Sequence, residues 1–288
     1  MTRIGLLGDT HADFGWIHYA IDKFYREDIT EVIQLGDLGV WPGKGYDEEW
    51  DEVSAHLEAV KQTWRVVPGN HEDYDQIEKL PVVDGWQPFR SNIWLAERGL
   101  RFSIDDVSFV ALGGAPSVDR ARRTGGTKYE GKQVYWWPQE AITPEDVAKV
   151  AGGGYADVML AHDAPANVET IERMTKGHDS WISPADLLYA ANGRVLMDEA
   201  FHAVAPRIFI HGHYHFKVDE QKMVRRDDEM AYSRILGLSK NEENFSMGEL
   251  NTEGLTAEIW DIRKDWVLNR WPVNHQGRVP QGWKRYFE

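Results

Sequence analysis

The sequence predicts an α/β fold, and three observations carry that expectation. Strand-length apolar runs rich in Val and Ile recur along the chain, and amphipathic stretches of helical spacing separate the first of them. The chain's 288 residues, 42% of them apolar, are enough to enclose a sizeable core. The first run, RIGLL (3–7), is followed by the amphipathic FGWIHYAIDKFYRED (14–28). EVIQL (31–35) comes next, then the helical pattern DEEWDEVSAHLEAVKQ (47–62), then WRVV (64–67). Strand–helix–strand order of this kind predicts parallel pairing through right-handed crossovers. VSFVAL (107–112), DVMLA (157–161) and RIFI (207–210) supply three further strands. SPADLLYAANGRVLMDEAFHAV (183–204) reads as a helix, with Ser183 at the N-cap and Pro184 at the first helical position. TAEIWDI (256–262) and WVLNRW (266–271) have no long helix between them and predict a hairpin. The expected organisation is one domain over residues 1–272 with a C-terminal tail, 273–288. Residues 117–138, Gly- and Arg-rich with two tryptophans, are expected to form a long functional loop.

Charge and composition narrow the function. A net charge of −15 argues against sequence-blind binding to duplex DNA, where phosphate neutralisation supplies most of the affinity. The absence of cysteine removes disulfides, thiolate zinc sites and thiol nucleophiles. MTRIGLLGDTH carries no secretory apolar region, and no run reaches the ~18 apolar residues of a membrane span. The expectation is a cytoplasmic protein with no membrane partner.

Each of five apolar runs stops at residues suited to holding a cation. They lead in turn to Asp9 and His11, to Asp37, to Asn70 and His71, to His162, and to His213 and His215. In open α/β sheets the ligand crevice lies beyond the carboxyl ends of the strands, so five distant segments can converge there. In extended backbone, residues i and i+2 share a face about 7 Å apart, which would aim Asp9 with His11, and His213 with His215, into one cavity. Apart from His71, the donors number seven, the oxygens of Asp9, Asp37 and Asn70 and the imidazoles of His11, His162, His213 and His215. They exceed one tetrahedral ion and are too rich in nitrogen for Ca²⁺ or a simple Mg²⁺ site. Mixed N/O ligation favours Mn²⁺, with Fe, Zn²⁺ or Mg²⁺ as alternatives. A bridging Asp37 would divide the set between two divalent ions about 3.5–4 Å apart.

In chain order these residues form D-x-H, G-D, G-N-H-E, a lone His and G-H-x-H. That set resembles the calcineurin-like metallophosphoesterase superfamily over residues 3 to about 218. The resemblance implies a four-layer αββα sandwich, two mixed β-sheets flanked by helices. It implies a first ion on Asp9, His11, Asp37 and His215, and a second on Asp37, Asn70, His162 and His213. It makes His71 the catalytic imidazole. Two departures count against a phosphoprotein phosphatase: the second motif reads GDLGVWPG rather than G-D-x-x-D-R-G, and Pro68 stands where an Arg would precede G-N-H-E. The sequence is more similar to the smaller bacterial and phage branch, in which phosphodiesterases are common.

The expected activity is therefore phosphodiester hydrolysis, by in-line attack of a metal-bridging hydroxide. Asn70 would help to neutralise the phosphate and His71 would protonate the leaving alkoxide. Arg120, Arg122, Arg123, Lys128 and Lys132 cluster beside Tyr135, Trp136 and Trp137 in an otherwise acidic chain. Arg120, Arg122, Arg123, Trp136 and Trp137 are the expected substrate contacts, because Arg grips phosphate and aromatic faces stack on bases. A small nucleotide, such as a 2′,3′-cyclic nucleotide or a short RNA end, would use both. A phosphomonoesterase or phosphoprotein phosphatase and a non-catalytic scaffold of the same fold stay as alternatives. His211 is expected to be structural, and His18, His56, His178, His202 and His275 to be surface or locally bonded. GVWPGKG (39–45) is one residue short of a phosphate loop, and HEDYD is not a zinc-protease motif.

Overall fold

The computed structural model describes residues 2–124, 128–129, 132–133, 135–177 and 182–262. The expected 266–271 strand, the 273–288 tail, His178, His275 and the side chains of Lys128 and Lys132 lie outside the described residues.

Two mixed sheets are stacked face to face and flanked by helices. In the first, β1 (Arg3–Leu7), β2 (Glu31–Gln34), β3 (Thr63–Val66) and β5 (Ile93–Ala96) run parallel in that order. β4 (Trp86–Arg90) closes one edge antiparallel to β5. β14 (Met247–Asn251) and β15 (Thr256–Ile259) extend the other edge beyond β1, each antiparallel to its neighbour. In the second, β7 (Val107–Leu112), β10 (Val158–Ala161), β11 (Ile208–His211) and β13 (Glu229–Gly237) are parallel. β6 (Arg101–Ile104) and β12 (Val218–Arg226) are antiparallel at its two edges.

Burial on both faces explains why the central strands read as unbroken apolar runs rather than alternating ones. In β1, Ile4 and Leu6 face the second sheet and pack with Phe109, Leu160 and Ile210, while Leu7 packs under the helices of the outer layer. That outer layer is α1 (Phe14–Arg26) with α2 (Lys44–Val60), filled by Trp16, Phe24, Trp50 and Leu57. On the far side α5 (Pro144–Gly152) and α7 (Pro184–Val204) cover the second sheet through Val150, Met197 and Phe201. The Ser183 side chain accepts from the amide of Asp186, a cap of the sort worth about 1 kcal/mol, and Pro184 stands at the start of α7 as expected.

β15, the first strand of the expected hairpin, pairs with β14, and its expected partner 266–271 lies outside the described residues. Within 117–138, the chain forms a short helix, α4 (Arg120–Thr124), and a two-stranded ribbon of β8 (Lys128–Tyr129) and β9 (Lys132–Gln133). Among the described residues no helix is long and apolar enough to cross a membrane. The parallel strands β1, β2 and β3 of one sheet, and β10 and β11 of the other, deliver their C-terminal loops to the same end of the sandwich.

Candidate metal centre

At that end, contacts link all seven candidate donors. Asp9 Oδ2 lies 3.1 Å from His215 Nε2, and Asp37 Oδ2 lies 3.5 Å from His11 Nε2. Asp37 Oδ1 is 3.4 Å from His162 Nε2, which is 3.0 Å from Asn70 Oδ1. The His162 and His213 rings are 5.0 Å apart, and His11 is 5.1 Å from His215 and 5.8 Å from His71. Among the described residues, two groups of three have donor atoms close enough to share a cation: Asp9, His11 and His215, and Asp9, Asp37 and His162. Asp9, rather than Asp37, is common to these two groups, although the two oxygens of Asp37 reach a histidine from each. Asp9, Asp37, Asn70 and His162 are buried, whereas the His215 side chain is 38% exposed, so the cluster opens to solvent on the His215 side.

The local backbone differs from the extended geometry expected of Asp9–His11 and His213–His215. His11, Asp37, His213 and His215 all have positive φ, between 48° and 69°. L-residues favour this region little, and the turns it creates, not strand alternation, bring the pairs together. Close approach is the second local requirement. A Cβ on Gly36 (φ +97°) would come within 2.2 Å of His162 Nδ1, and one on Gly69 within 2.2 Å of Asp37 Oδ1. Glycine is demanded there by the neighbouring donor itself.

Hydrogen bonds orient Asp9, Asp37, His162 and His11. Asp9 Oδ1 accepts from the His213 amide, leaving Oδ2 without an aligned bond, and Asp37 Oδ1 accepts from the His71 amide. His162 Nδ1 donates to Leu35 O, which turns Nε2 into the cluster. His11 Nδ1 pairs with Asn241 Oδ1, and Asn241 Nδ2 donates to Asp13, which turns His11 Nε2 toward Asp37. The Glu72 carboxylate accepts from the amides of Leu38, Gly39 and Val40, and so holds the loop that presents Asp37.

The electrostatics fit a cation site. Burial works against ionised Asp37, but His162, His71 and His11 outweigh it and hold the carboxyl well below its ordinary value. Asp9 is likewise lowered, burial being overcome by His215 and His162. Burial also opposes charge on His11 and His162, yet Asp37 raises them to about 9 and about 10. Protonated imidazoles thus balance two buried carboxylates, a role that divalent cations would take over on binding. His71 goes the other way: burial, with Arg123 and His11 adding to it against Asp37, lowers it to about 4. Burial lowers His213 well below its ordinary value. Burial raises Glu72 to about 6, helped by Asp37 and opposed by its three amide donors.

The expected substrate contacts fare differently. Arg123 is buried, and its guanidinium donates to Tyr135 O, Ser117 Oγ, Glu140 Oε2 and Asn70 O. It is a strut behind Asn70 and does not face solvent, contrary to the expected substrate grip. Trp137 is also buried, with the exposed Tyr135 stacked on it, so it presents no free face for a base. Trp136 donates its indole N–H to Glu140. Arg120 binds Asp186 and lies over the Tyr189 ring. Arg122 pairs with Asp119 and is half-exposed.

His211 packs against Phe209 and Tyr214 and donates its Nδ1–H to the Gly212 carbonyl at 2.9 Å. His18 and His56 are bonded to each other at 2.8 Å between α1 and α2, beside Asp22. The sequence reading missed Ser117, Glu140 and Asn241. Nothing in the sequence marked Asn241, while Ser117 and Glu140 bracket the loop that the composition had singled out.

A comparison with curated proteins finds no match by sequence. Among solved structures, a Thermus thermophilus protein shares 11% identity at TM-score 0.47, covering 91% of this chain and 100% of that one. An archaeal protein described as a novel phosphodiesterase shares 14% identity at TM-score 0.39, covering 90% and 99%. A dimetal phosphatase from Danio rerio shares 12% identity at TM-score 0.45, covering 86% and 92%. The sequence profile of the calcineurin-like phosphoesterases matches residues 2–217. The chain therefore belongs to the calcineurin-like phosphoesterase family, metal-dependent phosphoester hydrolases built around a dinuclear centre.

Proposed function

We propose that this protein is a phosphodiesterase acting on small nucleotide substrates, with two Mn²⁺ ions and in the cytoplasm. Asp9, His11, Asp37 and His215 would hold one ion, and Asp37, Asn70, His162 and His213 the other. The observation that carries the reading is the unbroken run of contacts from His215 through Asp9, and from His11 through Asp37 to His162 and Asn70. Bound divalent ions would supply hydroxide at neutral pH and neutralise the phosphate.

The chain's own residues supply the rest. His71 is fastened through its amide to Asp37 Oδ1, so its imidazole is carried on the same carboxylate that joins the two halves of the cluster. Lowered to about 4, the His71 imidazole is neutral at pH 7, so as general acid it would first take up a proton in the charge field of bound phosphate and then give it to the leaving alkoxide. Trp41 donates its indole N–H to His71 O at 2.6 Å, and Tyr135 O is tied through Arg123 to Asn70 O. Trp41 is thereby anchored beside the catalytic imidazole, which favours a substrate bearing a planar base. Arg122 is the half-exposed cation of the α4 group that could meet its phosphate. The acidic surface opposes binding of duplex nucleic acid.

The test is a panel of cyclic nucleotides, dinucleotides, an aryl phosphate and a bis-aryl phosphate, assayed with Mn²⁺, Zn²⁺ and Mg²⁺ in turn. Diester hydrolysis is expected, abolished by Asp37→Ala and cut by ~10²–10⁴-fold by His71→Ala. A large preference for the monoester would overturn the assignment, as would full activity in Asp37→Ala.

A further inference from the structure

Behind Asn70 lies a buried polar cluster with no direct reach to the cleft. Ser117, Arg123 and Glu140 are all buried, and together they determine which way a neighbouring amide faces. Glu140 receives donors from every side. Oε1 accepts from the Ser117 amide at 2.7 Å, from the Trp136 indole at 2.8 Å and from Tyr189 Oη at 3.4 Å. Oε2 accepts from Ser117 Oγ at 2.7 Å and from Arg123 Nη1 at 3.4 Å. The Ser117 hydroxyl proton is therefore committed to Glu140. Arg123 also donates to Ser117 Oγ. With its one proton given away and one lone pair taken, Ser117 Oγ can meet a third neighbour only as an acceptor.

That third neighbour is Asn70, whose Nδ2 donates to Ser117 Oγ at 2.8 Å. The consequence falls on the opposite side of the same amide. With Nδ2 held toward Ser117, Oδ1 is the atom turned toward His162 Nε2, 3.0 Å away, and into the donor cluster. A flipped amide would place an NH₂ group, which cannot ligate a cation, in that position. Arg123 Nη2 fixes the backbone as well, through Asn70 O at 3.3 Å.

We propose that the Glu140–Arg123 pair, acting through the Ser117 hydroxyl, sets the orientation of the Asn70 amide, making Ser117 and Glu140 positioning residues for the ion held with His162. The inference rests on the two-ion reading above, and its test reads metal binding rather than hydrolysis. Glu140→Gln is nearly isosteric but offers an NH₂ to Ser117 Oγ, which frees the hydroxyl proton to point at residue 70 and lets the Asn70 amide turn over. Replacing Asn70 itself by Asp removes the orientation problem, since a carboxylate presents oxygen either way. The Glu140→Gln exchange should then do no harm, because the freed hydroxyl can donate to the carboxylate.

The experiment is calorimetric titration of metal-free protein with Mn²⁺ for wild type, Glu140→Gln, Asn70→Asp and the double variant. Thermal melts report folding, and electron paramagnetic resonance distinguishes single from spin-coupled ions. Glu140→Gln is expected to weaken the second Mn²⁺ by ~10–100-fold and leave the first unchanged. In the Asn70→Asp background the same exchange should leave the second affinity unchanged or improve it. Equal weakening in both backgrounds, or none in wild type, overturns the proposal, because a purely structural role has no reason to depend on the identity of residue 70. Should Glu140→Gln not fold, Ser117→Ala carries the test. Selective loss of the second ion, restored by Ser117→Thr, supports the proposal, and equal or no loss on both ions refutes it. Protein that takes up no Mn²⁺ at all would instead overturn the two-ion reading itself.

Discussion

Arg123→Met separates the role that the sequence suggested for this residue from the role that the structure gives it. The substitution keeps most of the aliphatic stem and deletes the guanidinium. A substrate grip would lose affinity for substrate while the fold stood unchanged. The structure predicts the reverse order of effects. The Arg123 side chain is 1% exposed and that of Glu140 0%, with 3.4 Å between Nη1 and Oε2. Removing one member of a pair so deeply buried strands the other charge, at about 3–5 kcal/mol. Glu140 keeps four other donors, from Ser117 N–H, Ser117 O–H, Trp136 and Tyr189, which places the expected loss at the lower end, about 3 kcal/mol. Arg122→Met is the control: its side chain is 48% exposed and pairs with Asp119 at 3.4 Å, so it should cost no more than about 0.5 kcal/mol. Urea denaturation of the metal-free proteins measures both. Arg123→Met/Glu140→Met should be less destabilised than the sum of its single variants, since neither charge is then left alone. A loss under 1 kcal/mol for Arg123→Met, accompanied by a raised KM at unchanged kcat, would refute the strut and restore the grip.

Two further outcomes follow from the packing of the cluster. Gly36→Ala places a Cβ 2.2 Å from His162 Nδ1 on a residue with φ +97°, which should cost more than about 1 kcal/mol and weaken one metal equivalent by displacing His162 from Leu35 O. Denaturation combined with metal analysis of the purified variant checks this, and wild-type values for both would contradict the close packing. Metal affinity should also depend on pH. His11 and His162, raised to about 9 and about 10, must each lose a proton to ligate. Between pH 6.5 and 8.5 affinity should therefore climb by about tenfold per pH unit for each proton displaced, and fall correspondingly on acidification. Titrations in buffers of different ionisation enthalpy count the protons released, and a flat profile would mean that the imidazoles are already neutral.

The sequence made the central strands and the donor set legible for one physical reason. Strands buried on both faces must be continuously apolar, so RIGLL, VSFVAL and RIFI stand out, and a cluster of polar donors directly after such runs has little reason to be there except a site. Edge elements lack that constraint. β12, reading VDEQKMVRR, alternates more and less exposed residues, and the edge strands β4 and β6 are similarly mixed, so none of them stood out. The arginine group was conspicuous as charge in an acidic chain, but charge alone does not reveal burial. Arg123 and Glu140, separated by residues that pass through a ribbon, become partners only once the chain folds back. Asn241 gave no signal because its function, holding His11 Nδ1, depends on a loop 230 residues away meeting the first motif.

Why the donors are held by so many other residues follows from their backbone. Each positive φ at His11, Asp37, His213 and His215 is unfavourable by about 1–2 kcal/mol, and several such residues in adjacent loops would relax unless opposed. The opposition comes from bonds that cross between motifs. The His213 amide is held by Asp9 and the His71 amide by Asp37, so a turn from one strand end is pinned by a carboxylate from another. Glu72 then fixes three successive amides beyond Asp37, and Asn241 ties His11 to Asp13. The oxygen that pins a turn keeps a second lone pair, so Asp37 Oδ1 still faces His162 at 3.4 Å, while Asp9 Oδ2 and Asp37 Oδ2 are directed at His215 and His11. Strain and ligation are thus one arrangement: the turns aim the donors, and each aspartate that holds a turn also offers oxygen to the cleft.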